Sequence, residues 1–284
     1  MTSIFACIDG SPVAASVCDY AAWAAAKLPA PITLLHVLDH QAYPVATDVS
    51  GNIGLGARDL LLDELVALDE KRNRLALAQG KLQLDAARER IQKTDNSITV
   101  NQRQRHGNLV STLAELEEDI RTAVIGRRGE SSGNAISQVG SQLESIIRTL
   151  HRPVLVAPDN FKTPRSAMLA FDGSDTTRKG VKLLAASPLF ADLSLHLIMV
   201  GNDNADARAQ LQWAVDQLKA AGREVQTAIR PGAIVPTLHA YQEDHAIDLM
   251  VMGAYGHSRL RDFFVGSTTN AMLQSTTSAL LLLR

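Results

Sequence analysis

Glycines and a glycine-serine pair near the end of the chain have the spacing of a phosphate-binding loop. The run is GAYGHSRLRDFFVGSTTNAML, in which Gly253 and Gly256 follow an apolar strand and nine residues separate Gly256 from Gly266. Glycine lets the backbone turn tightly and approach a ligand without a Cβ clash. Gly266 and Ser267 stand where the next helix should begin, and a helix N-terminus offers unpaired N–H groups and a partial positive charge. The pattern predicts a phosphate site, with the hydroxyls of Ser267 and Thr268 as donors or helix caps.

An acidic residue ends another strand of the same half. Asp172 lies in AMLAFDGS at 167–174, and Val200 lies near the end of LSLHLIMVG at 193–201. In an open parallel sheet, ligands bind beyond the carboxyl ends of the strands, where the winding reverses. If the first strand neighbours the fourth, Asp172 and Gly253 lie on the two sides of that crevice. A carboxylate there suits ribose hydroxyls or a base edge, and Val200 offers backbone groups to a base.

A variant of the same set stands in the first half, where ten residues rather than nine follow the second glycine. Between its first two glycines, Arg127 and Arg128 could neutralise phosphate or be solvated surface side chains. Each motif alone is weak, because glycines close many strands and Asp-Gly-Ser is a common turn. Their joint placement at strand ends, twice in one chain, favours nucleotide binding, more so in the second half. The first-half counterparts are Asp9, Gly126, Gly129, Gly140 and Ser141.

The elements that must position these residues repeat along the chain. Each half alternates strand and helix, and the short strands are rich in Val, Ile and Leu, which fits a parallel sheet covered by helices on both faces. The third strands are more polar and fit sheet edges. A turn-like FKTPR at 161–165 divides the chain into domains 1–160 and 161–284. The strand segments are 4–11, 32–39, 97–105, 122–129 and 152–158, and then 167–174, 193–201, 224–230, 248–256 and 278–284.

One long insertion distinguishes the first half. Asp9 and Asp172 are 163 positions apart, but Gly126 and Gly253 are only 127 apart, so the first half has about 36 extra residues, within 40–93. A loop rich in small residues leads into a charged, leucine-rich helical pattern over 57–92, which Gly80 is expected to break or kink. Such a helix could pack on its own domain, cover the cleft or meet a partner, and packing on its own domain is the usual fate.

Composition argues against several classes of function. The 284 residues have a net charge of −2 and no basic block, so no nucleic-acid partner is expected. No apolar run approaches the roughly 18 residues of a membrane span, and the N-terminus lacks the features of a signal peptide. A cytoplasmic protein without a membrane partner is therefore predicted. Cys7 and Cys18 fit small buried hydrophobes in a reducing compartment, and no Cys/His cluster has the spacing of a metal site.

A complete catalytic set is not visible in the sequence. Phosphoryl transfer needs a metal clamp, a positioned nucleophile and charge stabilisation, and the chain lacks G-x-x-x-x-G-K-[ST]. His257 and Arg259 lie inside the glycine loop and could assist slow hydrolysis, or His257 could simply hydrogen-bond within the loop. Three functions stay open: a nucleotide-binding regulator, a slow ATPase using His257 or a metal held by Asp172, and a binder of another small molecule enclosed by the insertion.

The sequence resembles the universal stress protein family, in particular its tandem-domain members. The resemblance is carried by IDGS and FDGS after the first strands, and by GAYGHSRLRDFFVGST with its G-2x-G-9x-G-S/T spacing. GRRG…GS in the first half is a variant of that pattern. The resemblance covers nearly the whole chain outside 40–93. It implies an α/β fold with two tandem doubly wound five-stranded parallel sheets, adenine-nucleotide alpha-hydrolase-like, each in the order 3-2-1-4-5.

The resemblance also implies a ligand and an arrangement of the halves. The ligand would be ATP, or AMP or ADP, with Mg²⁺ as an optional companion, in a protein of the stress response. The apolar fifth strands, PVLVA and ALLLL, would join the halves as a dimer-like pair within one chain, and a homodimer is left open. The main nucleotide-binding candidates are Asp172, Val200, Gly253, Gly256, His257, Gly266, Ser267 and Thr268. The weaker set is Asp9, Val37, Gly126, Gly129, Gly140 and Ser141.

Overall fold

Strands and helices alternate through both halves of the chain. The structure, a computed structural model, describes residues 2–38, 55–129, 142–254 and 267–284, and of residues 55–63 it describes the backbone alone. The first half contains β1 (Ser3–Cys7), α1 (Ala14–Lys27), β2 (Ile32–Leu38), α2 (Leu55–Thr94), β3 (Val100–His106), α3 (Leu109–Glu115), β4 (Ile120–Gly126), α4 (Leu143–Thr149) and β5 (Val154–Ala157). The second contains β6 (Ser166–Ala170), α5 (Asp175–Ala186), β7 (Ser194–Val200), α6 (Ala205–Ala220), β8 (Val225–Arg230), α7 (Ile234–Asp244), β9 (Leu249–Gly253), α8 (Ser267–Ser275) and β10 (Ala279–Leu283).

All ten of these strands form one continuous sheet, in the order β3-β2-β1-β4-β5-β10-β9-β6-β7-β8. Neighbouring strands are parallel within each half, so the predicted order 3-2-1-4-5 is confirmed twice. The fifth strands, β5 and β10, pair antiparallel through their backbones, with Leu155 opposite Leu281. This seam merges the two predicted sheets into one. Because the strand direction reverses there, the strands of the first half and those of the second half have their carboxyl ends at opposite ends of the sheet, measured along the strands.

The helices cover both faces of this sheet, as the apolar strands predict. Residues of α1, α2, α5 and α6 join one hydrophobic cluster, and residues of α3, α4, α7 and α8 join the other. Successive side chains of a strand point to opposite faces, so Ile4 and Ala6 lie in the first cluster and Phe5 in the second. The polar strands β3 and β8 occupy the two edges, which confirms their predicted position.

Contacts outside the sheet also join the halves. The Tyr20 side chain is almost completely buried, and its ring meets that of Phe161 edge to face at a centroid distance of 4.8 Å. Its hydroxyl donates to the carbonyl of Lys162 at 3.3 Å. Lys27 forms an ion pair with Asp192 at 2.6 Å, but this pair is largely exposed and adds little stability. The apolar contacts and the strand pairing therefore dominate the interface between the halves.

The helix predicted over 57–92 is α2, which spans 40 residues. It links the second and third strands of the first half, as the 16-residue α6 does in the second. Of the roughly 36 extra residues, 24 are thus an extension of a helix that both halves possess. α2 continues through Gly80, so the predicted break there is wrong. The glycine instead permits close approach to the sheet, since an added Cβ would lie 2.3 Å from Gln104 Nε2 and 2.6 Å from His36 Cε1.

Gly80→Ala is expected to lower the free energy of unfolding by about 1 kcal/mol. Alanine gains about 1 kcal/mol of helix propensity over glycine, but overpacking typically costs 1–3 kcal/mol, and the ring of His36 is buried and cannot easily move aside. Chemical denaturation measures the difference. Ala78→Gly, in an exposed turn of the same helix, calibrates the propensity effect alone. A Gly80→Ala protein more stable than wild type would contradict the close approach.

Candidate functional site

Asp172 lies just past the carboxyl end of β6, in a turn fixed by hydrogen bonds. Its Oδ1 accepts the N–H of Ser174 at 3.0 Å and the hydroxyl of Thr177 at 2.7 Å. Ser174 caps α5 by accepting the N–H of Thr177 at 3.3 Å. Gly173 has a φ of +75°, in the left-handed region that favours glycine. The exposed carboxylate of Asp172 is therefore held in one orientation by the start of α5.

An aromatic stack supports this turn. The rings of Phe171 and Trp213 are stacked at a centroid distance of 6.5 Å. The guanidinium of Arg178 lies 4.4 Å from the centre of the Trp213 ring, a cation–π distance, and donates to the carbonyl of Gly173 at 2.9 Å. Sequence reasoning missed these positioning residues. The place of Thr177 three residues after the serine cap could have indicated its role, but no local pattern links Trp213 to the turn.

Gly253 ends the strand beside Asp172. β6 and β9 are paired, with Leu169 opposite Val251, so the predicted contact between the first and fourth strands is confirmed. A Cβ at Gly253 would lie 3.1 Å from Thr176 Cγ2. This first glycine of the motif therefore lets the end of β9 pack against the same helix start that holds Asp172.

The helix after the glycine loop begins at Ser267, where the sequence predicts it. Ser267 is exposed and Thr268 is half-buried. The hydroxyl of Thr269 donates to the carbonyl of Ala254 at 2.9 Å, which ties the start of α8 to the end of β9. Val200 ends β7 and is partly buried against the hydrophobic cluster that contains residues of α3, α4, α7 and α8. Three further candidates, Gly256, His257 and Gly266, lie outside the described residues.

In the first-half counterpart of this turn, the aspartate is less exposed to solvent than Asp172. Asp9 is half-buried, and its Oδ1 accepts the N–H and the hydroxyl of Ser11 at 3.0 and 2.5 Å. A Cβ at Gly129 would lie 3.2 Å from Asp9 Oδ2, so the chain after β4 lies against this carboxylate. Gly126 packs on Val13 at the start of α1, as Gly253 packs on Thr176. Val37 is partly buried near the end of β2, and Gly140 and Ser141 lie outside the described residues.

The two arginines of the first motif are paired with Asp159, which follows β5. Arg128 donates from Nε to Asp159 Oδ1 at 3.1 Å and from Nη2 to Oδ2, in a bidentate arrangement. Arg127 is buried, lies 3.7 Å from the same carboxylate and donates to the carbonyl of Thr276 in the second half at 3.0 Å. Of the two alternatives for these arginines, that of solvated surface side chains is therefore wrong. A phosphate in the first cleft would compete with Asp159 for these groups.

The described residues show few groups for covalent or metal chemistry. Burial, reinforced by the charge of Asp9, raises the pKa of Cys7 to about 12. Burial also raises the pKa of Cys18 to about 12, so both thiols stay protonated at neutral pH. In the part of the chain that the structure describes, no three His, Cys, Asp or Glu residues are grouped closely enough to hold a metal ion. Within the same ranges, no helix has the length and apolar character needed to cross a membrane.

A separate open groove of about 800 Å³ lies at the amino ends of β6, β7 and β8. His196 is buried there, with its Nδ1 3.0 Å from the hydroxyl of Tyr241. Burial, and then the nearby His245, lowers the pKa of His196. Lys162 and Asp248 form an ion pair at its wall, 2.6 Å apart. This groove lies at the amino ends of the strands, whereas Asp172 lies beyond their carboxyl ends, so the groove is not part of the predicted cleft.

Comparison with known proteins agrees with this architecture. The model of the universal stress protein family matches residues 1–158 and 165–284. A universal stress protein of Synechocystis sp. is 38% identical over 288 residues, covering 100% of both chains. The crystal structure of a universal stress protein from Archaeoglobus fulgidus aligns with a TM-score of 0.70 at 18% identity, covering 99% of this chain and 98% of that one. A Pseudomonas aeruginosa structure aligns with a TM-score of 0.64 at 15% identity, covering 100% and 93%. The chain belongs to the universal stress protein family, and its ten-stranded sheet contains the family's fold twice.

Proposed function

We propose that this chain is an adenine-nucleotide-binding regulator of the stress response, in which the second half holds ATP. The observation that supports this most strongly is the exposed carboxylate of Asp172, fixed by Ser174 and Thr177 beside the glycine end of β9. This is the crevice where the winding of the sheet reverses, the usual place for a ligand in such folds. Asp172 would accept a hydrogen bond from a ribose hydroxyl or a base edge.

The remaining contacts follow from the elements around this crevice. Phosphates would lie along the loop from Gly253 to Ser267, with Mg²⁺ as an optional companion. The first N–H groups of a helix have no intrahelical partners, so the start of α8 suits a phosphate oxygen. The proposed set is Asp172, Val200, Gly253, Gly256, His257, Gly266, Ser267 and Thr268, in a domain 161–284 of a cytoplasmic protein.

The first half, residues 1–160 in this proposal, would bind nucleotide more weakly or not at all. Asp9 is half-buried with Gly129 against it, whereas Asp172 is exposed. Arg127 and Arg128 are engaged with Asp159 and join the motif to β5 and the second half. These contacts favour a structural role for the first motif.

Thermal unfolding of the full chain with and without ATP tests the proposal. A ligand that binds only the folded state adds about 2.7 kcal/mol at a concentration of 100 times Kd, so Tm is expected to rise by several degrees. CTP at the same concentration is the matched control, because it carries the same phosphates on a different base. No shift with ATP, together with no heat of binding in calorimetry, would refute nucleotide binding.

Turnover of radiolabelled ATP separates a regulator from a slow ATPase. A regulator should bind ATP without repeated hydrolysis. Multiple turnovers that disappear in a His257→Ala protein would show that the protein is an ATPase that depends on His257, and would overturn its assignment as a regulator without enzymatic activity. Turnover that survives this substitution but is lost in Asp172→Ala at saturating ATP would indicate an ATPase that uses a metal held by Asp172, whereas turnover that survives both substitutions would point to a copurifying activity.

A further inference from the structure

The first part of α2 leaves its own domain. Toward the C-terminal end of the helix, Leu84, Ala87 and Ile91 are buried against the first half. From Glu64 to Gln79, by contrast, the side chains are exposed or only partly covered. Gln104, near the end of β3, donates from Nε2 to the carbonyl of Leu77 at 3.2 Å. The helix residues before Leu77 therefore extend beyond the carboxyl ends of the first-half strands. Packing on the domain thus accounts for only part of this helix.

Exposed leucines recur at every seventh residue of α2. Leu68, Leu75 and Leu82 are 62%, 62% and 70% exposed, and the spacing continues in the sequence to Leu61. These three leucines, the leucine stripe, do not extend the core-facing side of the helix. Leu82 and the buried Leu84 are two residues apart and therefore point about 200° apart around the helix. Leucine at seven-residue spacing fills one of the two apolar positions that each heptad of a coiled-coil seam contains, and another helix is needed to cover it.

The charges along this part of α2 indicate which helix covers the leucine stripe. From residue 64 to 70 the charged side chains are acidic, namely Glu64, Asp69 and Glu70. From residue 71 to 81 they are basic, namely Lys71, Arg72, Arg74 and Lys81. A helix with an acidic first part and a basic second part is complementary to itself when two copies run antiparallel. A parallel pair would instead place like charges side by side.

We infer that two copies of this chain associate through α2, with their leucine stripes packed antiparallel. The centre of the pair lies near residues 70 and 71, where the sign of the charge changes. About this centre, residues 64–77 of the two copies lie side by side over roughly 20 Å of helix. The association is independent of nucleotide binding and covers the apolar surface that the first half leaves exposed.

Sedimentation equilibrium of the full chain tests the association. Wild type is expected to have the mass of two 30.6 kDa chains at micromolar concentration. Changing Leu68, Leu75 and Leu82 together to lysine should raise the dimer dissociation constant at least about 100-fold, because like charges then meet along the seam. Circular dichroism should stay unchanged, since all three positions are exposed. Ile234→Lys, at an apolar residue 49% exposed outside α2, is the matched control and should remain dimeric.

Disulfide formation tests the direction of the pair. Lys71→Cys, beside the leucine stripe near the proposed centre, should cross-link two chains on mild oxidation, whereas Ala78→Cys, at the equivalent position one heptad further toward the end, should not. Cross-linking of both variants would show a parallel pair and overturn the antiparallel arrangement. A monomeric wild type, or a triple lysine variant that stays dimeric, would overturn the inference altogether.

Discussion

Replacing Leu281 by alanine is expected to lower the free energy of unfolding by about 3 kcal/mol, since a buried leucine truncated to alanine typically costs 2–5 kcal/mol. Leu281 is 1% exposed and lies in β10, between β5 of the first half and β9 of the second. Its side chain packs in the hydrophobic cluster that also contains Leu155, its partner across the seam. Loss of this side chain therefore leaves a cavity at the junction of the halves.

Denaturation by urea, monitored by circular dichroism, measures this loss. Ile234→Ala removes an apolar side chain that is half exposed, and it should change stability by less than about 0.5 kcal/mol. A loss below 1 kcal/mol for Leu281→Ala would contradict a packed seam between β5 and β10.

Replacing Asp172 by alanine is expected to weaken ATP binding by about ten- to a hundredfold. Hydrogen bonds to charged groups contribute about 1.5–3 kcal/mol, and alanine removes both the proposed contact with the nucleotide and the acceptor that orders Ser174 and Thr177. Calorimetric titration of the full-length variant gives the change in Kd directly.

Two further substitutions separate charge from position at this turn. Asp172→Asn keeps an oxygen to accept from Ser174 and Thr177 but removes the charge, so its affinity should fall between wild type and Asp172→Ala. Asp175→Ala removes an exposed carboxylate three residues further on and should leave the affinity nearly unchanged. Equal loss in Asp175→Ala and Asp172→Ala would mean that general electrostatics, rather than a contact by Asp172, attracts the nucleotide.

Most of the architecture could be predicted from the sequence because the strands are apolar on both faces. Short runs such as ITLLHVLD can be buried only in a sheet covered on both sides, and the polar VNQRQRH of β3 fits only an edge. The apolar fifth strands predict contact between the halves. Their antiparallel pairing into one sheet could not be derived, because strand direction across the seam depends on how two folded halves meet.

The details that escaped prediction depend on residues far apart in the sequence. Arg127 looks like a surface residue until Asp159 and the carbonyl of Thr276 are brought to it by the fold. Gly80 reads locally as a helix breaker, yet its role is set by His36 and Gln104 on the neighbouring strands. Local patterns place Asp172 at a strand end, but only the packing of α6 brings Trp213 and Arg178 together beside the turn that holds it.

Native mass spectrometry of the full chain, at an ATP concentration just above the Kd of the wild type, tests the central claim, that the two halves are unequal and the second holds the nucleotide. We expect a mass increase of one ATP per chain, largely lost in Asp172→Ala and retained in Asp175→Ala. Two ATP per chain, no bound ATP, or one ATP that persists in Asp172→Ala would contradict it.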